Sequence, residues 1–171
     1  MRRGSITVLL SLIIALNLFA DTERQRESMR RISPLRVIVE DLRSDVTSST
    51  GLTAEQLRTD VELRLRRAGI TVIDRGTGPF LWISVNAMLP TSSDGALAGL
   101  AVASMLVALN QIATLPGKGG LEFSVLTWTT SSVVFTPSNQ FAEWIRQRSI
   151  PDLVDQFLNA YLSVNPSTSR N

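Results

Sequence analysis

The spacing of apolar residues changes several times along the chain, and each spacing predicts a different element. The stretch 35-LRVIVEDL-42 is rich in β-branched residues, with Leu35, Val37 and Val39 on one face, which predicts a first strand. Leu57, Val61, Leu65 and Ala68 then recur every three or four residues, giving one helical stripe. Thr53 and Gln56 form a capping box at its start, and Gly69 supplies a left-handed stop. Asp60 with Arg64, and Glu62 with Arg66, are expected to pair on its surface. The stretch 43-RSDVTSSTG-51 before it reads as a polar loop, and 70-ITVID-74 after it as a short strand.

The alternation is clearest in 80-FLWISVNAML-89. Leu81, Ile83, Val85, Ala87 and Leu89 share one face, and Phe80, Trp82, Ser84, Asn86 and Met88 the other. Residues 121–135 are rich in β-formers. Near the end, Ile150, Leu153, Val154, Phe157, Leu158, Tyr161 and Leu162 form a broad apolar stripe. This predicts a helix from about Pro151 to Leu162, opened by Ser149 and Asp152, with a shorter helix over 139–148 leading into it. Trp144 on that shorter helix is expected in the core.

Between the two best strands lies a run without charge from Gly95 to Pro116. Three readings compete: a strand covered on both faces, a buried helix, or a segment inserted in a membrane. Short Pro- and Gly-containing connections on both sides favour a meander of strands, with the regular strand mainly over Val102–Leu115. Ala and Gly, poor strand formers, crowd the first part of the run. About 20 apolar residues would suffice for a span, but no basic cluster flanks this run.

The predicted fold is α+β: a single mixed or antiparallel sheet of about five strands, in the order β-α-β-β-β-β-α, with two amphipathic helices on one face. The first twenty residues, MRRGSITVLLSLIIALNLFA, have the basic start and apolar run of a signal peptide. Residues 21–33 read as a flexible polar lead-in, 34–164 as a single α+β domain and 165–171 as a frayed tail. In outline this order resembles small exported accessory domains of bacterial envelopes, although no motif carries the resemblance. Export to the periplasm or beyond is therefore expected, with an uncleaved N-terminal anchor as the alternative.

Charge alters the picture once. Seventeen Lys and Arg against fifteen Asp and Glu give +2, and Arg2 and Arg3 account for that excess. From residue 21 onward the charges balance, which argues against a nucleic-acid binder.

Chemistry is constrained more by absences. There is no His and no Cys, so His-based nucleophilic sites, thiol chemistry and imidazole or thiolate metal sites are excluded. Lys118 in a Gly-rich turn and the acidic group Glu40, Asp41 and Asp45 read as solvated surface. No cofactor and no metal are expected.

What remains is aromatic. Trp82, Asn86 and Met88 on one strand, with Trp128 and Thr130 on another, mix aromatic, thioether and hydroxyl groups as binding surfaces do. If both tryptophans face away from the helices, the sheet offers a docking face. The resulting expectation is a non-enzymatic exported interaction domain of the cell envelope. Its partner would be another envelope protein or a second copy of itself, with peripheral membrane contact as a further option. Changing both tryptophans to Ala should then abolish association and leave the fold intact. The competing expectations are a membrane-associated subunit with 96–115 in the bilayer and, more remotely, a carboxylate-dependent hydrolase.

Overall fold

The computed structural model describes residues 23–89, 99–117 and 119–166. Four strands form one mixed sheet in the order β1-β2-β3-β4. They are β1 (Arg36–Val39), β2 (Phe80–Met88), β3 (Leu100–Thr114) and β4 (Glu122–Pro137). The β1 and β2 strands run parallel, and the other neighbours antiparallel. The expected strand at 70–74 contributes only a parallel bridge, Leu35 to Val72, so among the described residues the sheet has four strands and not five.

Helices α1 (Ser44–Thr50) and α2 (Ala54–Arg67) connect β1 to β2. After β4 the chain turns through α3 (Phe141–Trp144), a π turn (Ile145–Ser149) and α4 (Ile150–Val164). The α2 helix lies against β1, and α4 against β3 and β4. The core fills the single gap between these helices and the sheet. Leu57, Val61 and Leu65 of α2 enter it, as do Val154 and Phe157 of α4 and Leu81, Ile83, Met105 and Leu109 of the sheet.

The uncharged run is the inner ribbon. Leu100–Thr114 pairs with β2 on one side and β4 on the other, which overturns both its helical and its bilayer readings. Among the described residues no helix is long and apolar enough to cross a membrane. The small residues have a role here: Ala101 and Ala103 are fully buried on the helix-facing side, where larger side chains would hold the helices off. Residues 95–98, and Lys118 in the turn, lie outside the described residues.

Local expectations fared unevenly. Gln56 N–H donates to Thr53 Oγ1 at 3.2 Å, and Thr53 N–H to Gln56 Oε1 at 3.1 Å, so the capping box is present. Gly69 takes the left-handed φ of 83°. The 43–51 stretch, expected as a loop, instead contains α1, which ends at Gly51 with φ 71° and buries Val46 alone. Ser149 caps nothing, because its φ of −65° and ψ of −50° lie within a helical run. Pro151 cannot donate to the preceding turn and crowds its carbonyl; the wider π turn just before it relieves that conflict. Trp144 is half-buried and not core; the Arg148 guanidinium lies 4.6 Å from its ring centroid.

Of the expected pairs on α2, Glu62 with Arg66 forms at 2.8 Å. Asp60 and Arg64 reach across to other elements. Arg146 bonds both Asp60 oxygens at 2.8 and 3.1 Å, and Arg64 bonds both Asp155 oxygens at 2.7 and 2.6 Å. Such two-pronged geometry is specific to the guanidinium–carboxylate match and outcompetes a neighbour four residues away. The hydrogen bond to Arg64 holds the Asp155 carboxyl below its ordinary range. A depressed folded value adds stability above the unfolded value, and that stability is lost as pH falls through the folded one. The pair is nearly half exposed, so its contribution is below about 1 kcal/mol. Urea melts of the protein and of Asp155→Asn should differ slightly at neutral pH and converge below about pH 4.

The lead-in is tied to the domain. Residues 23–27 are helical, and Met29 is fully buried. Gln111 Nε2 donates to Ser28 O at 2.8 Å and Asn165 Nδ2 to Met29 O at 2.9 Å. Arg31, at a left-handed φ of 61°, donates its N–H to Asn165 Oδ1 at 2.7 Å.

Candidate functional site: the open face of the sheet

All the helices named above that pack on the sheet do so on one side. The other side follows from register. Met88, Val102 and Phe135 lie in one row across β2, β3 and β4; Asn86, Ser104 and Val133 form the next. Ser84, Leu106 and Ser131 follow, then Trp82, Ala108 and Thr129. Alternation puts these residues opposite the core-facing set.

The face is banded. Met88, Val133 and Phe135 are 64%, 62% and 69% exposed, which makes one apolar end. A belt of Asn86, Ser84, Ser104 and Ser131 crosses the middle, with Asn86 Nδ2 donating to Ser84 Oγ at 3.1 Å. Half-buried Trp82 begins a second apolar zone, continued by Phe80 and exposed Leu126. The Arg36 guanidinium sits 5.4 Å from the Phe80 ring centroid at the β1 side. The rows named across β2, β3 and β4 carry no charge; Arg36, the β1 neighbour of Phe80, is the charged group beside them.

The sequence-predicted residues divide. Trp82, Asn86 and Met88 stand together on the open face. Trp128 and Thr130 are on the opposite side, beneath α4. Trp128 is 5% exposed and meets Phe157 edge-on, ring centroids 5.5 Å apart. Thr130 Oγ1 donates to Gln156 Oε1 of α4 at 2.7 Å. The cause is a β-bulge: Leu109 pairs with Trp128 but Asn110 pairs with Leu126, leaving Thr127 extra. Side-chain parity reverses there. The expectation that both tryptophans share a docking face is thereby corrected, as is the expectation that changing both would spare the fold. Val133 and Phe135, which sequence reasoning missed, take the vacated place on the open face. No alternation marks them, since Val134 between them is also apolar.

A cleft of about 800 Å³ lies between α2 and the π turn, with Leu57, Val61, Ile150 and Val154 among its walls. Asp60 stands in it, bonded to Arg146, and Arg64 from the same wall is bonded to Asp155. Each of these carboxylates is held by a guanidinium rather than facing a second carboxylate, which is unlike a general acid–base pair. Burial pushes the Tyr161 hydroxyl above its ordinary range, and that group belongs to the core beside Phe157.

The architecture is thus an α+β domain with one helix-covered sheet face and one open face. No family model and no curated protein matches the sequence. Among solved structures the similarities are weak. Rare lipoprotein B from Shewanella oneidensis is 16% identical with a TM-score of 0.34, over 76% of this chain and 96% of its own. A minor lipoprotein from Acinetobacter baumannii is 13% identical with a TM-score of 0.35, over 77% and 96%.

Proposed function

We propose that the protein is a small exported, non-enzymatic interaction domain of the bacterial cell envelope, and that it binds a protein partner through the open sheet face. The observation that carries this reading is the row of Met88 and Phe135, more than half exposed at the end of the open face where the rows across β2, β3 and β4 carry no charge. Isolated surface apolar groups are ordinary, but a contiguous band rimmed by hydroxyls and an amide has the composition of a recognition surface. The signal-like N-terminus supports the address.

The experiment is capture from the native envelope by the tagged protein and by a Trp82→Ala, Phe135→Ser variant. Both changed side chains lie on the open face, so the variant should keep its circular dichroism and lose no more than about 1–2 kcal/mol of stability. It should lose, by about tenfold or more, the partner that the parent retains, since interface aromatics carry most of such binding energy. A folded variant that holds the same partner as tightly overturns the proposal.

A further inference from the structure

A separate surface is available at the β4 edge. The β4 strand is the last in the sheet, sixteen residues long, and carries no charge from Phe123 to Pro137. Exposed edges are ordinarily blunted by charge, proline or a bulge, because their unpaired backbone groups template another strand. Here the bulge at Thr127 and Pro137 bound a regular stretch, 128–136, that has none of these.

The hydrogen-bond phase follows from one contact. Ser138 N–H donates to Gly99 O at 2.8 Å, continuing the register that pairs Leu100 with Pro137. Bonded pairs alternate in an antiparallel ladder. Trp128, Thr130, Ser132, Val134 and Thr136 therefore turn their backbone groups to β3. Thr129, Ser131, Val133 and Phe135 turn theirs outward.

We propose that this edge pairs with the β4 edge of a second copy, antiparallel about a two-fold axis, to give a continuous eight-stranded sheet. Setting Ser131 opposite Val133 of the second copy, and Thr129 opposite Phe135, brings every outward backbone group against a complement. Each facing pair is uncharged, so identical edges meet without repulsion. The α4 shoulder beside the edge is equally neutral: Gln156, Asn159, Ala160 and Ser163 line the groove between α4 and β4. Arg26 is the charged member of that lining among the described residues. It lies in the groove with Thr129, and the two-fold sets the two copies of Thr129 about 20 Å apart along the strands. That exceeds the screening length at physiological salt. A second copy is the occupant chosen because self-pairing needs no feature that this edge lacks, whereas a foreign strand would require a partner matched to it. The inference does not rest on the open-face reading, since it uses backbone groups of the edge.

Sedimentation of the purified protein over a concentration series, with amide exchange read residue by residue, tests it. The expected result is a doubling of mass as concentration rises, with protection appearing at the amides of Thr129, Ser131, Val133 and Phe135. A protein that stays monomeric overturns the proposal, and so does a dimer in which those four amides exchange freely. The latter outcome would leave the open face as the self-contact. Ser131→Pro removes one outward N–H and no ladder bond, which an edge strand tolerates. It should weaken association about tenfold or more, one donor being lost from each copy. Unchanged association in a folded Ser131→Pro protein also overturns the proposal. If that variant does not fold, the exchange pattern of the parent decides.

Discussion

Trp128→Ala should destabilise the fold by about 3–5 kcal/mol, whereas Trp82→Ala should cost much less. The two residues look alike in sequence, each a tryptophan in a strand-forming stretch with a hydroxyl residue two positions on, Ser84 after Trp82 and Thr130 after Trp128. Their surroundings differ. Trp128 is 5% exposed and edge-on to Phe157, which in turn stacks toward Tyr161 at 6.0 Å. Removing its indole empties a core site and forfeits an aromatic contact worth about 0.5–1.5 kcal/mol beyond the area lost. Trp82 sits on the uncovered side of the sheet, where solvent and neighbours can close around a truncation. Urea denaturation of the two single variants measures the difference directly. In thermal melts the Trp128 variant should fall by roughly 10 °C for a domain of this size. Equal losses would mean that the bulge at Thr127 does not reverse the strand, and the open face would then have to be redrawn with Trp128 on it.

That bulge also marks where sequence reasoning reached its limit. In β2 the alternation of Leu81, Ile83, Val85 and Ala87 against Trp82, Asn86 and Met88 was legible because nothing interrupts the period of two. In β4 a single extra residue shifts every side chain beyond it to the other face. Nothing in TWTTSSVV announces the shift, since Thr127 is a good strand residue like its neighbours. Two of five expected site residues, Trp128 and Thr130, moved to the helix side for this one reason. The uncharged run was legible through its connections rather than its composition. Short turns on both sides fixed it as a strand, although its Ala residues argued otherwise. Those alanines are explained by what packs on them, which no local pattern contains. The α1 helix was hidden for the opposite reason. It contributes one buried residue, Val46, and its Ser and Thr content is that of a loop. Ser149 had the residue type of a cap, but capping depends on the backbone before it, and that backbone was already helical.

Met29→Ala should cost about 2–5 kcal/mol, the range for emptying a fully buried methionine site. The size of that loss would be unexpected from 24-RQRESMRR-31, where four arginines and a glutamate surround one apolar residue. The structure accounts for it by geometry. Met29 is fully buried, while its backbone carbonyl accepts from Asn165 Nδ2 and the preceding carbonyl, of Ser28, accepts from Gln111 Nε2. Asn165 also accepts from Arg31 N–H, so one amide side chain at the end of α4 closes two backbone groups of the lead-in. The segment therefore joins β3 to the C-terminal end of α4, and Met29 is the peg that makes those bonds cooperative with the core. Arg24→Ala, at an exposed position of the same segment, should change stability by less than about 0.5 kcal/mol. Chemical denaturation of both variants provides the check, with amide exchange at Arg31 as a local reporter. If Met29→Ala melts like the parent, the lead-in is a passenger on the domain and residues 35–164 hold their fold without it. If it falls by the expected amount, the folded unit begins before β1, and any shortened form of the protein that omits Met29 should be correspondingly unstable.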